Sequence, residues 1–386
     1  MSKTNLSDCN KKIIGILARH TGQKSKPFGR QTNLLQEFFN LTRNLPCSLL
    51  LFHPNDIMTQ SRPKALYYDG KNWVSKTAEM PVVLYDRFYS SMTEIDPAVL
   101  KSKKTLRDQF QMKYLNPIEM AVTATDKFEF CKFAKKHGIR SPKTTRIGNS
   151  PDLLWTYIEK GKNLILKPVL GRMGKGITRI HNKGQLRLLI NGTSCLRIDG
   201  KWHLWGMIVQ YCRENNIAPE KLIFQEEIEL PLKSKRFFDV RILVQRLNGD
   251  SKPIISGEVA RVGGTDAHVP NIDHGGLAVA LDDWLQTLFS ERYNQILETL
   301  RSTAMSVYEK VEIEFGLTGE LGIDLIIDKY EEVHVIEINS KPGRIAFERL
   351  ASGFGLSESR RKSFARCRKN SIINPIKYAV WLAQNT

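Results

Sequence analysis

The sequence predicts an α/β protein of more than one domain, and three observations carry that prediction. Apolar, strand-like runs alternate with helical patterns through the first third of the chain. In the middle, a strand-like run with one lysine in it (residues 164–170, LILKPVL) leads through a glycine-rich stretch (171–177, GRMGKGI) into another apolar segment. In the C-terminal third, residues 322–328 (GIDLIID) and 333–343 (VHVIEINSKPG) are separated only by residues 329–332, which is hairpin spacing. A chain of 386 residues has room for about two or three domain-sized units. Its 41% hydrophobic and 25% charged residues are ordinary for a globular protein.

Taken in order, residues 12–18 (KIIGILA) form the first expected strand. Residues 31–45 show helical spacing through Leu34, Leu35, Phe38, Phe39 and Leu41. Residues 47–52 and 81–85 are the next strand candidates, the latter leading into Asp86 and Arg87. This alternation predicts a small domain around a parallel sheet. Ligands of such sheets bind beyond the carboxyl ends of the strands, so Arg87 is a candidate for holding an anionic substrate group.

From about Pro117 the pattern changes. Residues 125–138 read as a helix, with Thr125 and Asp126 at its start, Phe130, Phe133 and Ala134 on one side, late lysines, and Gly138 as a stop. Lys167 then sits inside an apolar strand, where an ammonium is costly unless it meets an anion. The glycine-rich stretch beside it lets backbone N–H groups approach phosphate oxygens, although it lacks the spacing of a P-loop. Residues 223–228 (IFQEEI) are a strand ending in acids. Residues 238–244 (FDVRILV) put Asp239 and Arg241 on one face, and Arg261 follows in another strand. Each charged pair alone is equally a solvated strand face. In the final hairpin a turn centred on Tyr330 and Glu331 sets Asp324 opposite Glu337, with Asn339 on the same face. Two carboxylates and a carboxamide oxygen suit Mg²⁺.

Net charge is +18, from 58 Lys and Arg against 40 Asp and Glu. Residues 101–146 hold twelve basic against four acidic residues, and residues 341–386 hold ten against two. A basic surface attracts polyanions, but no nucleic-acid-binding signature accompanies it, so solubility and a phosphate site are the preferred account. Six scattered cysteines without a C-x-x-C pair argue against a zinc site or disulfide framework and fit a reducing cytosol. No signal peptide is visible, and no apolar run approaches the roughly 18 residues that span a bilayer.

The ordered series Asp126-Lys127, Ile165-Leu166-Lys167-Pro168 with its glycine loop, Gln225-Glu226-Glu227, Asp239-Val240-Arg241, Gly322-Ile323-Asp324 and Glu337-Ile338-Asn339-Ser340-Lys341-Pro342-Gly343 resembles the ATP-grasp superfamily. The E-I-N-S-K-P-G form, the Y-D-R segment and the F-D-V-R-I-L-V strand look most like its spore-coat-associated YheC/YheD branch. The resemblance implies an ATP-grasp fold, two subdomains gripping ATP, behind a pre-ATP-grasp domain. The expected divisions are an N-terminal α/β domain at 1–116, a lid subdomain at 117–222, a metal-site subdomain at 223–350 and a basic helical segment at 351–386.

By the same resemblance, Lys127 and Lys167 contact ATP phosphates under a flap containing Gly174 and Gly176. Glu226 and Glu227 lie in the hinge that holds adenine and ribose, and Asp239 falls near the ribose or substrate. Arg241 and Arg261 lie near the γ-phosphate and the acyl phosphate. Asp324, Glu337 and Asn339 hold Mg²⁺, with Mn²⁺ as an alternative. Lys341 departs from the small residue common in such ligases and, with Arg87, is expected on the substrate side. The implied reaction is γ-phosphoryl transfer to a carboxylate, giving an acylphosphate and ADP, followed by displacement of phosphate by an amine or thiol. The expected partners are small-molecule or peptide substrates rather than nucleic acid, and the expected location is cytoplasmic or spore-associated. The competing expectation is a nucleotide-binding, spore-associated structural or regulatory protein with little turnover.

Overall fold

The computed structural model describes residues 11–23, 25–59, 61–89, 96–171, 178–183, 185–190, 194–264, 275–353 and 355–385. Three sheets organise them. In the first, Lys12–Leu17 runs parallel to both Cys47–Phe52 and Val83–Asp86, and Val83–Asp86 parallel to Lys113–Tyr114. These strands are apolar without alternation because both faces are covered. Ile14, Ile16, Val83 and Tyr85 pack against Leu35 and Phe38, whereas Leu17, Leu50 and Leu84 pack against Val99 and Leu106. One edge differs from the parallel sheet expected: Lys64–Tyr68 and Trp73–Thr77 add an antiparallel hairpin. Most of their residues are half-buried or exposed, so they lack the continuous apolar run that marks the central strands.

The second sheet is antiparallel, in the order Ser194–Arg197, Gln185–Ile190, Thr178–Lys183, Leu164–Pro168, Leu222–Glu226, Thr144–Arg146. One face is apolar: Leu164, Leu166, Ile180, Leu222 and Phe224 pack on helices Asp152–Glu159 and Lys201–Glu214 through Leu154, Ile158, Leu204 and Ile208. The third sheet, also antiparallel, runs Leu277–Val279, Ile254–Val262, Phe238–Gln245, Glu320–Ile327, Val333–Asn339. Its apolar face, including Val240, Ile242, Val262 and Ile323, packs on helices Leu281–Phe289 and Tyr293–Phe315.

Three details depart from the expected divisions. Helices Ile118–Thr125 and Lys127–Lys136 pack on the third sheet through Met120, Phe130, Phe133 and Ala134, while Phe128 meets Arg146 of the second sheet. Leu222–Glu226 hydrogen-bonds within the second sheet, so the change of sheet falls after Glu226. The C-terminal segment is helical from Glu358 to Gln384, but its later turns are no appendage. Ile372, Ile376, Tyr378 and Ala379 are buried in the core of the first sheet, while Arg360 pairs with Asp282 and Asp283 and Arg368 with Glu37 and Glu348. The helix therefore fastens the first sheet to the third.

Candidate active site

A strand alternates its side chains between faces, so a sheet with one apolar face presents the intervening residues together on the other. On the second sheet those residues are Thr144, Lys167, Arg179 and Gln225, by the pairings Thr144↔Gln225, Ile165↔Gln225 and Ile165↔Arg179. On the third sheet they are Asp239, Arg241, Arg261, Asp324 and Glu337, by the pairings Asp239↔Arg261, Arg241↔Asp324 and Asp324↔Glu337. The two sheets meet beside these faces, where Lys127 N–H, from a helix packed on the third sheet, donates to Val169 O at 3.1 Å just beyond Leu164–Pro168. The Glu337 charge opposes the fall in the Lys167 pKa across the cleft between them.

The hairpin register is the one expected at its open end, with Asp324 opposite Glu337 and Gly322 opposite Asn339. Beyond Asp324 an irregularity moves the pairing by one, so Leu325 meets Val335. At the turn the Asp328 carboxylate accepts the N–H groups of Tyr330 and Glu332, and Glu331 adopts φ 66°. Asp328, Glu332 and His334 come close enough there to share an ion, but Asp328 serves the turn and Glu332 pairs with Arg140.

Asp324 is 1% exposed. Arg241 grips it through two nitrogens, Nε to Oδ1 at 2.7 Å and Nη2 to Oδ2 at 2.6 Å, and Arg261 Nη2 reaches Oδ2 at 2.9 Å. Burial pushes the Asp324 pKa up, but Arg241 and then Arg261 outweigh it and hold the carboxyl well below its usual range. Arg261 also makes a two-point pair with Asp239, both contacts at 2.6 Å. Asp239 is pushed the other way, by burial first and by the neighbouring Asp324 charge, against the pull of Arg261. Asn339 Nδ2 lies 3.4 Å from Asp324 Oδ2, which turns its carbonyl oxygen away from that carboxylate. Two carboxylates and that oxygen are a donor set suited to a hard divalent cation. Asp324 can join it only as the arginines yield.

Across the cleft, Lys167 is 6% exposed and donates to Gln225 Oε1 at 2.9 Å. Gln225 Nε2 donates to Thr144 Oγ1 at 2.7 Å, and Thr144 donates to Pro142 O at 2.9 Å. Burial lowers the Lys167 pKa, countered by Glu337 and then Cys131. Lys127 starts the helix that Asp126 caps by accepting from the N–H groups of Phe128 and Glu129, and its Nζ donates to Gly171 O at 2.7 Å. Gly174 and Gly176 lie outside the described residues. Glu226 pairs with Lys162 at 3.2 Å and Glu227 with Arg179 at 3.0 Å. Arg179 is 6% exposed and lies over the Phe237 ring at 4.5 Å. Sequence reasoning missed Arg179; its place two residues beyond the glycine-rich stretch, in a strand, was the available signal.

Arg87 and Lys341 differ from what the sequence led one to expect. Arg87 is 1% exposed, with Nη1 3.6 Å from Glu320, 3.4 Å from the Tyr85 hydroxyl and 3.3 Å from Pro342 O. Glu320 is fully buried and also accepts from Tyr85 at 2.5 Å, from Gln245 at 3.1 Å and from Arg344. Arg87 is thus spent joining the first sheet to the third, and its guanidinium does not open on the cleft. Lys341 Nζ lies 2.9 Å from Asp86 Oδ2 and donates to Phe88 O at 2.6 Å. Asp86 also pairs with Lys103 at 2.7 Å. Burial would raise the Asp86 pKa, but Lys341 and Lys103 bring it down to about 2. Lys341 is therefore held by Asp86, which it shares with Lys103, rather than standing open beside Asp324.

The profile of the YheC/D like ATP-grasp family matches residues 124–382. The endospore coat-associated protein YheD of Bacillus subtilis (strain 168) is 23% identical over 367 residues, covering 91% of this chain and 77% of YheD. The endospore coat-associated protein YheC of the same organism is 23% identical over 323 residues, covering 78% and 82% of the two chains. Among solved structures, the D-alanine-D-alanine ligase from Coxiella burnetii superposes with a TM-score of 0.53 at 13% identity, covering 97% of this chain and 95% of that one. That likeness shows a common fold. With the family profile spanning most of the chain and both polar faces assembled on two antiparallel sheets, the protein belongs to the YheC/D like ATP-grasp family.

Proposed function

We propose that the chain is an ATP- and Mg²⁺-dependent ligase that joins a carboxylate to an amine or thiol through an acylphosphate, releasing ADP and phosphate. One observation carries the reading: a buried lysine on one sheet feels the charge of a carboxylate on the other, and that carboxylate is the strand partner of Asp324, itself bound by two arginines. Such a division suits a triphosphate, with cations for its oxygens on one side and oxygen ligands for its metal on the other.

Lys127 and Lys167 bind and orient the phosphates, and Glu226 and Glu227 lie at the hinge where adenine and ribose would sit. Arg241 and Arg261 stand where charge builds during in-line transfer to a substrate carboxylate, and their guanidiniums stabilise it without being consumed. Mg²⁺ held by Asp324, Glu337 and Asn339 supplies further charge neutralisation when bound. Substrate recognition is left to groups other than the buried Arg87 guanidinium. A second reading, a coat-associated nucleotide-binding protein with little turnover, is favoured by what YheD and YheC are called.

ADP and phosphate release, screened against pooled amino acids and short peptides, separates the two. The ligase reading expects release that rises on adding one pool and stops in Lys167→Met. Nucleotide binding without release in any pool supports the second reading instead.

A further inference from the structure

Lys167 and Glu337 are opposite charges on facing sheets, and each is wanted by a ligand rather than by the other. Where burial keeps water away, an ammonium and a carboxylate attract more strongly than in water as they approach. A closed Lys167–Glu337 pair would remove a phosphate-binding cation and a metal-binding carboxylate together. In the structure the Lys167 ammonium is hydrogen-bonded instead to a neutral acceptor, Gln225 Oε1, at 2.9 Å. Gln225 is 4% exposed, and its amide is fixed from behind by the 2.7 Å bond to Thr144 Oγ1. Thr144 spends its own proton on Pro142 O, so its oxygen is left to accept. The polarity of this relay runs one way, from Lys167 through Gln225 and Thr144 to the backbone just before the edge strand Thr144–Arg146.

We propose that Gln225, held by Thr144, is a neutral tether that keeps Lys167 off Glu337 and ready for a phosphate group. The inference rests on the nucleotide reading above and makes both residues positioning residues. Neutrality matters. A carboxylate at position 225 would hold the ammonium too, but as an ion pair that competes with phosphate for the same charge. An ammonium has three N–H donors, so the one spent on Gln225 leaves others to turn toward the cleft.

The test is a double-mutant cycle on binding of the non-hydrolysable analogue AMP-PNP, read by calorimetry with Mg²⁺ and again with EDTA. Gln225→Leu should weaken binding by about ten- to a hundredfold, the effect of misplacing one hydrogen bond to a charged group. In a Glu337→Gln background, where no carboxylate can capture Lys167, the same substitution should cost about twofold or less. Gln225→Glu should weaken binding as Gln225→Leu does. Thr144→Val should show a smaller loss that Thr144→Ser restores. Melting curves on each variant separate a folding defect, which would lower affinity equally in both backgrounds, from loss of the tether. Equal losses in both backgrounds overturn the proposal. So does full affinity in Gln225→Leu. A wild-type protein that binds no AMP-PNP overturns the nucleotide reading and the tether with it, whereas binding insensitive to position 225 overturns the tether alone.

Discussion

At the scale of single residues, the carboxylates of the candidate metal site are not equivalent. Asp324 is 1% exposed and serves two arginines, whereas Glu337 is half-buried. Asp324→Asn leaves Arg241 and Arg261 buried against a neutral amide, which should cost on the order of 3 kcal/mol. Glu337→Gln should cost about 1 kcal/mol or less, so it is the cleaner probe of function. Urea unfolding of the two variants checks this, and equal stabilities would contradict the role given to the Asp324 cluster. Arg87 teaches the complementary lesson. An arginine after a strand looked like a substrate group, but burial beside Glu320 commits it to joining two sheets.

At the scale of elements, the sequence carried what depends on local spacing. The hairpin that sets Asp324 opposite Glu337, the lysine buried in Leu164–Pro168 and the Asp126 cap all follow from alternation, apolar runs and capping chemistry. The irregularity after Asp324 went unread, although it breaks the alternation of the second strand, where Val333 and Val335 are buried and the next buried residue is Ile338, three residues on. The edge hairpin Lys64–Tyr68 and Trp73–Thr77 was silent because half-exposed strands need no apolar run. The helix Glu358–Gln384 was read from its charged first turns, although Ile372, Ile376 and Ala379 at helical spacing mark the face that enters the first core. Pairs such as Glu320 with Arg344, Arg179 with Glu227 and Gln225 with Thr144 depend on how strands are ordered in a sheet. Spacing along the chain does not encode that order.

At the scale of the whole molecule, buried charges join the first sheet to the loop that follows Val333–Asn339. Asp86 sits between Lys103 of the first domain and Lys341 of that loop, with its pKa brought from 3.8 down to about 2. A depressed folded-state pKa stabilises the fold above about pH 4, and the stabilisation is lost as pH falls from there toward 2. The shift corresponds to about 2 kcal/mol. Asp86→Asn should therefore be less stable than the parent at neutral pH and should narrow that gap by about this amount in acid. Urea unfolding at pH 7 and at the lowest pH where both proteins fold measures it. A gap independent of pH would show that Asp86 does not carry the link between the two parts.

A nucleotide and its metal held between the second and third sheets, as proposed, make nucleotide binding depend on Mg²⁺. AMP-PNP titrated into the wild-type protein should bind at least about tenfold more tightly with Mg²⁺ than with EDTA. Glu337→Gln should keep the EDTA affinity and lose that gain. A wild-type affinity indifferent to Mg²⁺, or a Glu337→Gln protein that keeps the full gain, would contradict the account.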